Sequence, residues 1–245
     1  MSKSVVSFSK VNFLYHDGTK ALQDVSFNLY ENETLGVIGP NGAGKSTMLL
    51  HMNGILQGTG EVSICGMKVS EKNKSRIRKK VGLVFQDPDS QLFMPTVFDD
   101  VSFGPLNMGL NKDDVIQSVH MALREVTMES AIDRPSHHLS FGEKKRVSIA
   151  TVLSMSPDVL VLDEPASNLD PRSRRELITL LNNFKHTKII ASHDLEMIRQ
   201  VCNRVILLDN GCIISDGNSD AIMRNEELMI SHGLEVPYSL RNNVT

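Results

Sequence analysis

The sequence is poor in cysteine, has no long apolar run and carries no excess of basic charge, and each shortage removes a class of function. Its three cysteines, Cys65, Cys202 and Cys212, are an odd number without C-x-x-C spacing. That argues against a disulfide framework or a zinc site and for a reducing compartment, the cytoplasm. No segment approaches the roughly 18 consecutive apolar residues of a membrane span, and Met1-Ser2-Lys3-Ser4 leads into alternating residues rather than a signal-peptide core. Membrane contact is therefore expected only through a partner. The formal charge is −3 and the isoelectric point about 6.2. The one basic cluster, Lys72 to Lys80, is short enough to be a solvated helix face, so nucleic acid is not an expected partner. With 245 residues, 40% of them hydrophobic, the chain can build one large domain or two small ones around a substantial core.

What is present centres on Gly39-Pro40-Asn41-Gly42-Ala43-Gly44-Lys45-Ser46-Thr47. The apolar run Leu35 to Ile38 before it reads as a buried strand and Met48 to Met52 after it as a helix, the context in which G-x-x-x-x-G-K-S forms a phosphate loop. Glycines let the backbone curl around an anion, with N–H groups pointing inward at the positive end of the helix that starts at Lys45. Polyphosphate is the natural guest. Lys45 is placed to reach its terminal phosphates and Ser46 to ligate Mg²⁺.

Along the chain, Val5 to Leu14 and Ala21 to Tyr30 alternate like strands around the turn residues His16-Asp17-Gly18, an antiparallel entry sheet. Tyr15 ends the first strand, either as an aromatic that stacks on a base or as a half-buried edge tyrosine. The strand Gly60 to Gly66 and a basic helix ending near Lys80 precede the buried strand Val81 to Phe85. Thr96 to Asp99 resembles a capping box, and the periodic stretch Asn111 to Thr127 continues a helical region without strands as far as Met155. Asn210-Gly211, between Val205 to Leu208 and Cys212 to Ile214, is a hairpin signal. The polar end Arg241 to Thr245 is expected to be mobile.

Several chemical side chains fall at the carboxyl ends of core strands, where open α/β sheets bind ligands. Gln86 follows Val81 to Phe85, either to touch a metal-bound ligand or to cap the strand. The apolar Val159 to Leu162 ends in Asp163-Glu164, a costly placement unless the carboxylates serve a cation or a reaction. Asp163 suits a Mg²⁺ shell and Glu164 an attacking water. His193 ends the strand Lys188 to Ser192. In Leu139-Ser140-Phe141-Gly142-Glu143, the S-x-x-E spacing fits equally a capped helix start and an anion site.

In this order the motifs resemble the ATPase subunit of ABC transporters over nearly the whole chain. Gly39 to Thr47 look like Walker A, Gln86 the Q-loop, Leu139 to Glu143 the signature, Val159 to Glu164 Walker B, Ser167 to Asp170 the D-loop, His193 the switch histidine and Tyr15 the adenine-stacking aromatic. The resemblance implies an α/β fold: a P-loop NTPase (RecA-like) core over 1–95 and 157–232 with the antiparallel entry sheet, an inserted helical signature subdomain over 96–156 and a tail over 233–245. It implies ATP and Mg²⁺ as ligands, with Mg²⁺ held by Ser46, Gln86 and Asp163, and Glu164, His193 and Gln86 as the hydrolytic set. It also implies a head-to-tail homodimer or paralogue heterodimer, completed in trans by Ser140, Gly142 and Glu143 and flanked by Asp170.

The usual signature reads Leu-Ser-Gly-Gly-Gln, and this chain departs from it at Phe141 and Glu143. The capping box accounts for Glu143, whereas Phe141 has no account in sequence terms. Val81 to Pro105, His138 to Gly142 and Lys144 to Val147 are similar to the energy-coupling-factor branch, especially cobalt and nickel importers. In that family Val81 to Pro105 faces the coupling helices of integral membrane subunits, which implies a peripheral position at the cytoplasmic face of the cell membrane. The short C-terminal part looks more like the metal-ion type than the vitamin type. Repair ATPases carry a long coiled coil between the Walker motifs and translation ATPases two cassettes; neither feature is present. The set Asp163, Glu164 and His193 disfavours a nucleotide sensor without turnover.

Overall fold

The computed structural model describes residues 3–241. Two runs of alternating residues open it as β1 (Ser4–Leu14) and β2 (Lys20–Tyr30), followed by β3 (Thr34–Ile38), α1 (Lys45–Met52), β4 (Thr59–Ile64), β5 (Met67–Lys68), α2 (Lys74–Lys80) and β6 (Val81–Val84). A stretch without strands holds α3 (Val97–Asn107), α4 (Lys112–Glu125) and α5 (Phe141–Leu153). Then come β7 (Val159–Asp163), α6 (Pro171–Asn183), β8 (Thr187–Ala191), α7 (Leu195–Val201), β9 (Arg204–Asp209), β10 (Cys212–Asn218), α8 (Ser219–Met223) and α9 (Glu226–Ser231).

Two sheets form, a four-stranded one in the order β2-β1-β4-β5 and a six-stranded one in the order β10-β9-β3-β8-β7-β6. Strands β3, β6, β7, β8 and β9 run parallel and are almost wholly buried, which explains why they read as unbroken apolar runs rather than alternating ones. One face of this sheet shares a core with the entry sheet and α1 through residues such as Val37, Met48, Val161 and Phe27. The other packs on α3 to α7 through Val84, Ile149, Leu162, Leu177 and Ile190.

One detail departs from the sequence reading. Thr96 caps α3 by accepting from the Asp99 N–H at 3.2 Å, but its hydroxyl donates to the Asp99 carboxylate at 2.6 Å, so the reciprocal bond of a capping box is missing. Aspartate is one methylene too short to reach back as glutamate does. Within the C-terminal tail Leu240 is buried, and Leu234 and Val236 pack against the core. The remainder of the expected mobile end, residues 242–245, lies outside the described residues. The adjacent rings of His137 and His138 meet edge to face at 4.3 Å.

Candidate active site

The order β3-β8-β7-β6 sets four carboxyl ends in a row, carrying in turn the phosphate loop, His193, Asp163 with Glu164, and Gln86. The ladder continues past the strands, with Ser192 N–H donating to Val37 O at 3.1 Å and Glu164 N–H to Ala191 O at 2.9 Å. A cleft of about 640 Å³ opens there, lined by Tyr15, the phosphate loop from Gly39 to Thr47, Gln86, Glu164 and His193.

The phosphate loop is braced from outside itself. Gly44 has φ 105°, and a Cβ on it would lie 2.3 Å from Ala21 O, so both conformation and the approach of β2 require glycine. The tip of the β9–β10 hairpin, with φ 46° at Asn210 and 77° at Gly211, brings the Gly211 N–H 3.0 Å from Ala43 O. Lys45 is 8% exposed and donates to Gly39 O at 2.7 Å and Pro40 O at 3.0 Å. Burial pulls its pKa down, opposed by the charges of Glu164 and Asp163. Tyr15 is tied to the loop rather than free at a strand edge: its hydroxyl lies 2.9 Å from Thr47 Oγ1. Thr47 O in turn accepts from His51 Nδ1 at 2.7 Å, and the Phe13 ring meets both Tyr15 and His51 edge to face.

Glu164 is buried and heavily hydrogen-bonded. Its Oε2 accepts from the Ser192 hydroxyl at 2.9 Å and lies 2.8 Å from His193 Nδ1, while the His193 N–H reaches Oε1 at 3.0 Å. Its backbone is left-handed, φ 44°, a strain of roughly 1–3 kcal/mol of the kind found at functional sites. Asp163 Oδ1 is buried with no hydrogen-bond partner among the described residues. Burial pushes the Asp163 pKa up, with Ser46 beside it pulling the other way. A buried carboxylate oxygen without a partner, next to a serine hydroxyl and with the amide of Gln86 on the same cleft, suits a hard cation such as Mg²⁺.

The signature segment lies elsewhere: Ser140, Gly142 and Glu143 do not line the cleft of their own chain. Ser140 and Glu143 form the full capping box at the start of α5, with Ser140 N–H to Glu143 Oε2 at 2.7 Å and Glu143 N–H to Ser140 Oγ at 3.3 Å. Arg134 holds the other Glu143 oxygen at 3.1 Å. Ser173 of α6 comes so close to Gly142 that a Cβ there would sit 2.6 Å from its hydroxyl. Asp170 caps α6, accepting from the Arg172 and Ser173 N–H groups at 2.9 and 3.1 Å.

The sequence profile of the ABC transporter family matches residues 22–167. The chain belongs to that family. It is 45% identical over 236 residues to the energy-coupling factor transporter ATP-binding protein EcfA of Carboxydothermus hydrogenoformans, a match covering 95% of this chain and 87% of that one. In structure it resembles cbiO1 of Clostridium perfringens, part of the ABC transporter complex cbiONQ, with a TM-score of 0.83 and 38% identity over 93% of this chain and 94% of the other. It also resembles the dimeric post-hydrolysis state of the ATP-binding cassette MJ0796 bound to ADP and Pi, with a TM-score of 0.77 and 27% identity over 87% and 98%. As an ABC ATPase it binds and hydrolyses ATP with Mg²⁺, and it is a subunit of an energy-coupling-factor type transporter.

Three side chains of this ABC ATPase were not singled out from sequence. Lys145, only 1% exposed inside α5, donates to the Gln86 and Glu164 carbonyls, the second at 3.2 Å. Burial pulls its pKa down to about 8. Gln91 joins the loop after β6 to α5, donating to Ser148 O at 2.8 Å and Thr151 Oγ1 at 2.7 Å. Asp100, also buried, accepts from the Phe93 and Met94 N–H groups, both at 2.9 Å. A lysine at an inward position of a helix was the one available signal; the other two look like ordinary polar loop and helix residues. Gly233 and Leu234 also line the nucleotide cleft, brought there by the packing of the C-terminal segment.

Proposed function

We propose that this ATPase powers the uptake of a transition-metal ion, cobalt or nickel, through separate membrane subunits, working from the cytoplasmic face of the cell membrane. The observation that carries the partner assignment is a groove of about 870 Å³ whose aromatic wall comes from the stretch that resembles cobalt and nickel importers. Phe85, Phe93 and Phe103 line it, exposed by 37%, 65% and 44%. Lys74, Arg78 and Lys79 stand along its edge. Exposed aromatics inside a charged rim suit a short amphipathic helix with an acidic residue. Among the described residues no helix is long and apolar enough to cross a membrane, and the membrane-spanning part of the transporter is assigned to the partner that brings this helix. The likeness to cbiO1, part of the ABC transporter complex cbiONQ, supports separate partner subunits, and the similarity of Val81 to Pro105 to cobalt and nickel importers supports the metal-ion cargo.

Hydrolysis takes place between two copies, or a copy and a paralogue, set head to tail. Tyr15 stacks on adenine, Lys45 and the loop N–H groups bind the phosphates, and Ser140 and Gly142 of the second copy reach the γ-phosphate. Ser46, Asp163 and Gln86 would hold Mg²⁺, which neutralises phosphate charge when bound. Glu164, held by Ser192 and His193, accepts the proton of the attacking water, and His193 orients water and γ-phosphate. Glu143 keeps the signature helix capped for this contact, and Asp170 holds the adjacent turn.

Purifying the membrane proteins that bind the chain, reconstituting them in vesicles and measuring ATP-dependent uptake of Co²⁺ and Ni²⁺ tests the proposal. Uptake of either ion that stops with Glu164→Gln is expected. Vesicles that take up a vitamin and neither ion would refute the cargo and leave the hydrolytic assignment standing.

A further inference from the structure

We propose that Lys145 is a positioning residue, a buried strut through which the signature helix α5 holds the backbone at Gln86 and at Glu164, so that both ends of the hydrolytic site move with that helix. The proposal rests on the hydrolytic reading above and adds a residue to it.

The geometry is that of a three-way tie. The Lys145 side chain is among the largest that are fully buried, and it lies one turn into α5, just behind the capping box. Its ammonium group touches Gln86 O and Glu164 O, and Ser167 Oγ lies 3.5 Å away. These partners belong to two loops, the one that follows β6 and the one that runs from β7 through Ser167 to Asp170. All three partners are neutral. No carboxylate touches the ammonium, and the charges of Asp87, Asp163 and Glu164 oppose its burial only in part; a lysine held this way is an expensive way to fill space, because methionine has similar length and volume without the charge. The donors therefore explain lysine where volume does not.

What it holds also matters. Gln86 is exposed and its side chain faces the nucleotide cleft, so its aim is set by its own peptide, which Lys145 pins. Glu164 has the strained backbone, and such a conformation persists only where its surroundings over-determine it. The Glu164 N–H is fixed by Ala191 O and its carbonyl by Lys145, one from each side. Phe141, for which the sequence offered no account, has a place here: its ring centroid lies 5.6 Å from Lys145 Nζ, at the limit of a favourable cation–π contact. The aromatic departure in the signature thus faces the ammonium that carries the tie.

The test compares Lys145→Met, which keeps length but has no donor, and Lys145→Arg, which keeps donors, in the full chain, with Glu164→Gln as control. In Lys145→Met, kcat for ATP hydrolysis should fall by about 10- to 100-fold, while KM for ATP stays within about threefold and Tm within about 4 °C. Lys145→Arg should recover most of the lost kcat. Lys145→Met turning over like the wild type while Glu164→Gln is inactive would overturn the strut alone. Loss of kcat, KM and Tm together, without rescue by arginine, would also overturn it, since that is the pattern of a packing role. A wild-type rate in Glu164→Gln would instead refute the hydrolytic reading itself.

Discussion

Ser192 donates its hydroxyl to Glu164 Oε2 at 2.9 Å, and both residues are buried. Ser192 ends β8 and Glu164 follows β7, so the bond joins the carboxyl ends of two neighbouring strands and holds the carboxylate toward the cleft. The same hydroxyl oxygen accepts from the Asp194 N–H at 3.0 Å, which ties the His193 segment to the same point. Ser192→Ala removes a hydrogen bond to a buried acid. It should cost about 1–3 kcal/mol of stability and lower kcat more than it raises KM. Urea unfolding and steady-state phosphate release measure the two effects.

Lys45→Ala should weaken nucleotide binding before it affects anything else. The side chain is inside the loop and supplies its one charged group. Loss of a charge-assisted contact of about 1.5–3 kcal/mol corresponds to a rise in Kd of about 10- to 150-fold. Calorimetric titration with a non-hydrolysable ATP analogue reads this directly, and an unchanged Kd would contradict the role given to Lys45.

The groove should separate partner binding from catalysis. Phe93 meets Phe103 edge to face at 5.1 Å and is 65% exposed. Phe93→Asp places charge on an apolar wall well away from the phosphate loop. The variant should lose the membrane subunits in pull-down, while the rate of ATP hydrolysis by the isolated protein stays within about twofold.

His51 gives a dependence on pH with a definite sign. Burial holds its pKa below the ordinary 6.5, against the opposing bond to Thr47 O. The folded state therefore prefers the neutral ring. Its contribution to stability is complete above the ordinary value and is lost as pH falls through it toward the folded-state pKa. Denaturant midpoints measured between about pH 5 and 8 should fall toward the acid end more steeply in the wild type than in His51→Gln. Equal slopes would rule out His51 as the source.

Much of this was legible in the sequence, for a physical reason. Parallel strands buried on both faces are unbroken apolar runs, so their carboxyl ends, and with them Gln86, Asp163, Glu164 and His193, stand out as abrupt polar stops. The phosphate loop is a local structure with a local pattern, and the Ser140–Glu143 box is another. What stayed hidden depends on residues far apart in sequence. Ser173 forces glycine at Gly142, Lys145 reaches across to two loops, and the tip at Gly211 braces Ala43. The left-handed backbone of Glu164 had no sequence mark either, because glutamate has no preference for that region. Tyr15 was found as an aromatic at a strand end, but its bond to Thr47 Oγ1 needed the fold.

The most direct test of the account is phosphate release by Glu164→Gln. Glutamine preserves the shape of the side chain and removes the base held by Ser192 and His193. The account predicts a single-turnover rate reduced by at least about 100-fold, together with an ATP-dependent dimer that persists on gel filtration. Release of phosphate at the wild-type rate would contradict it.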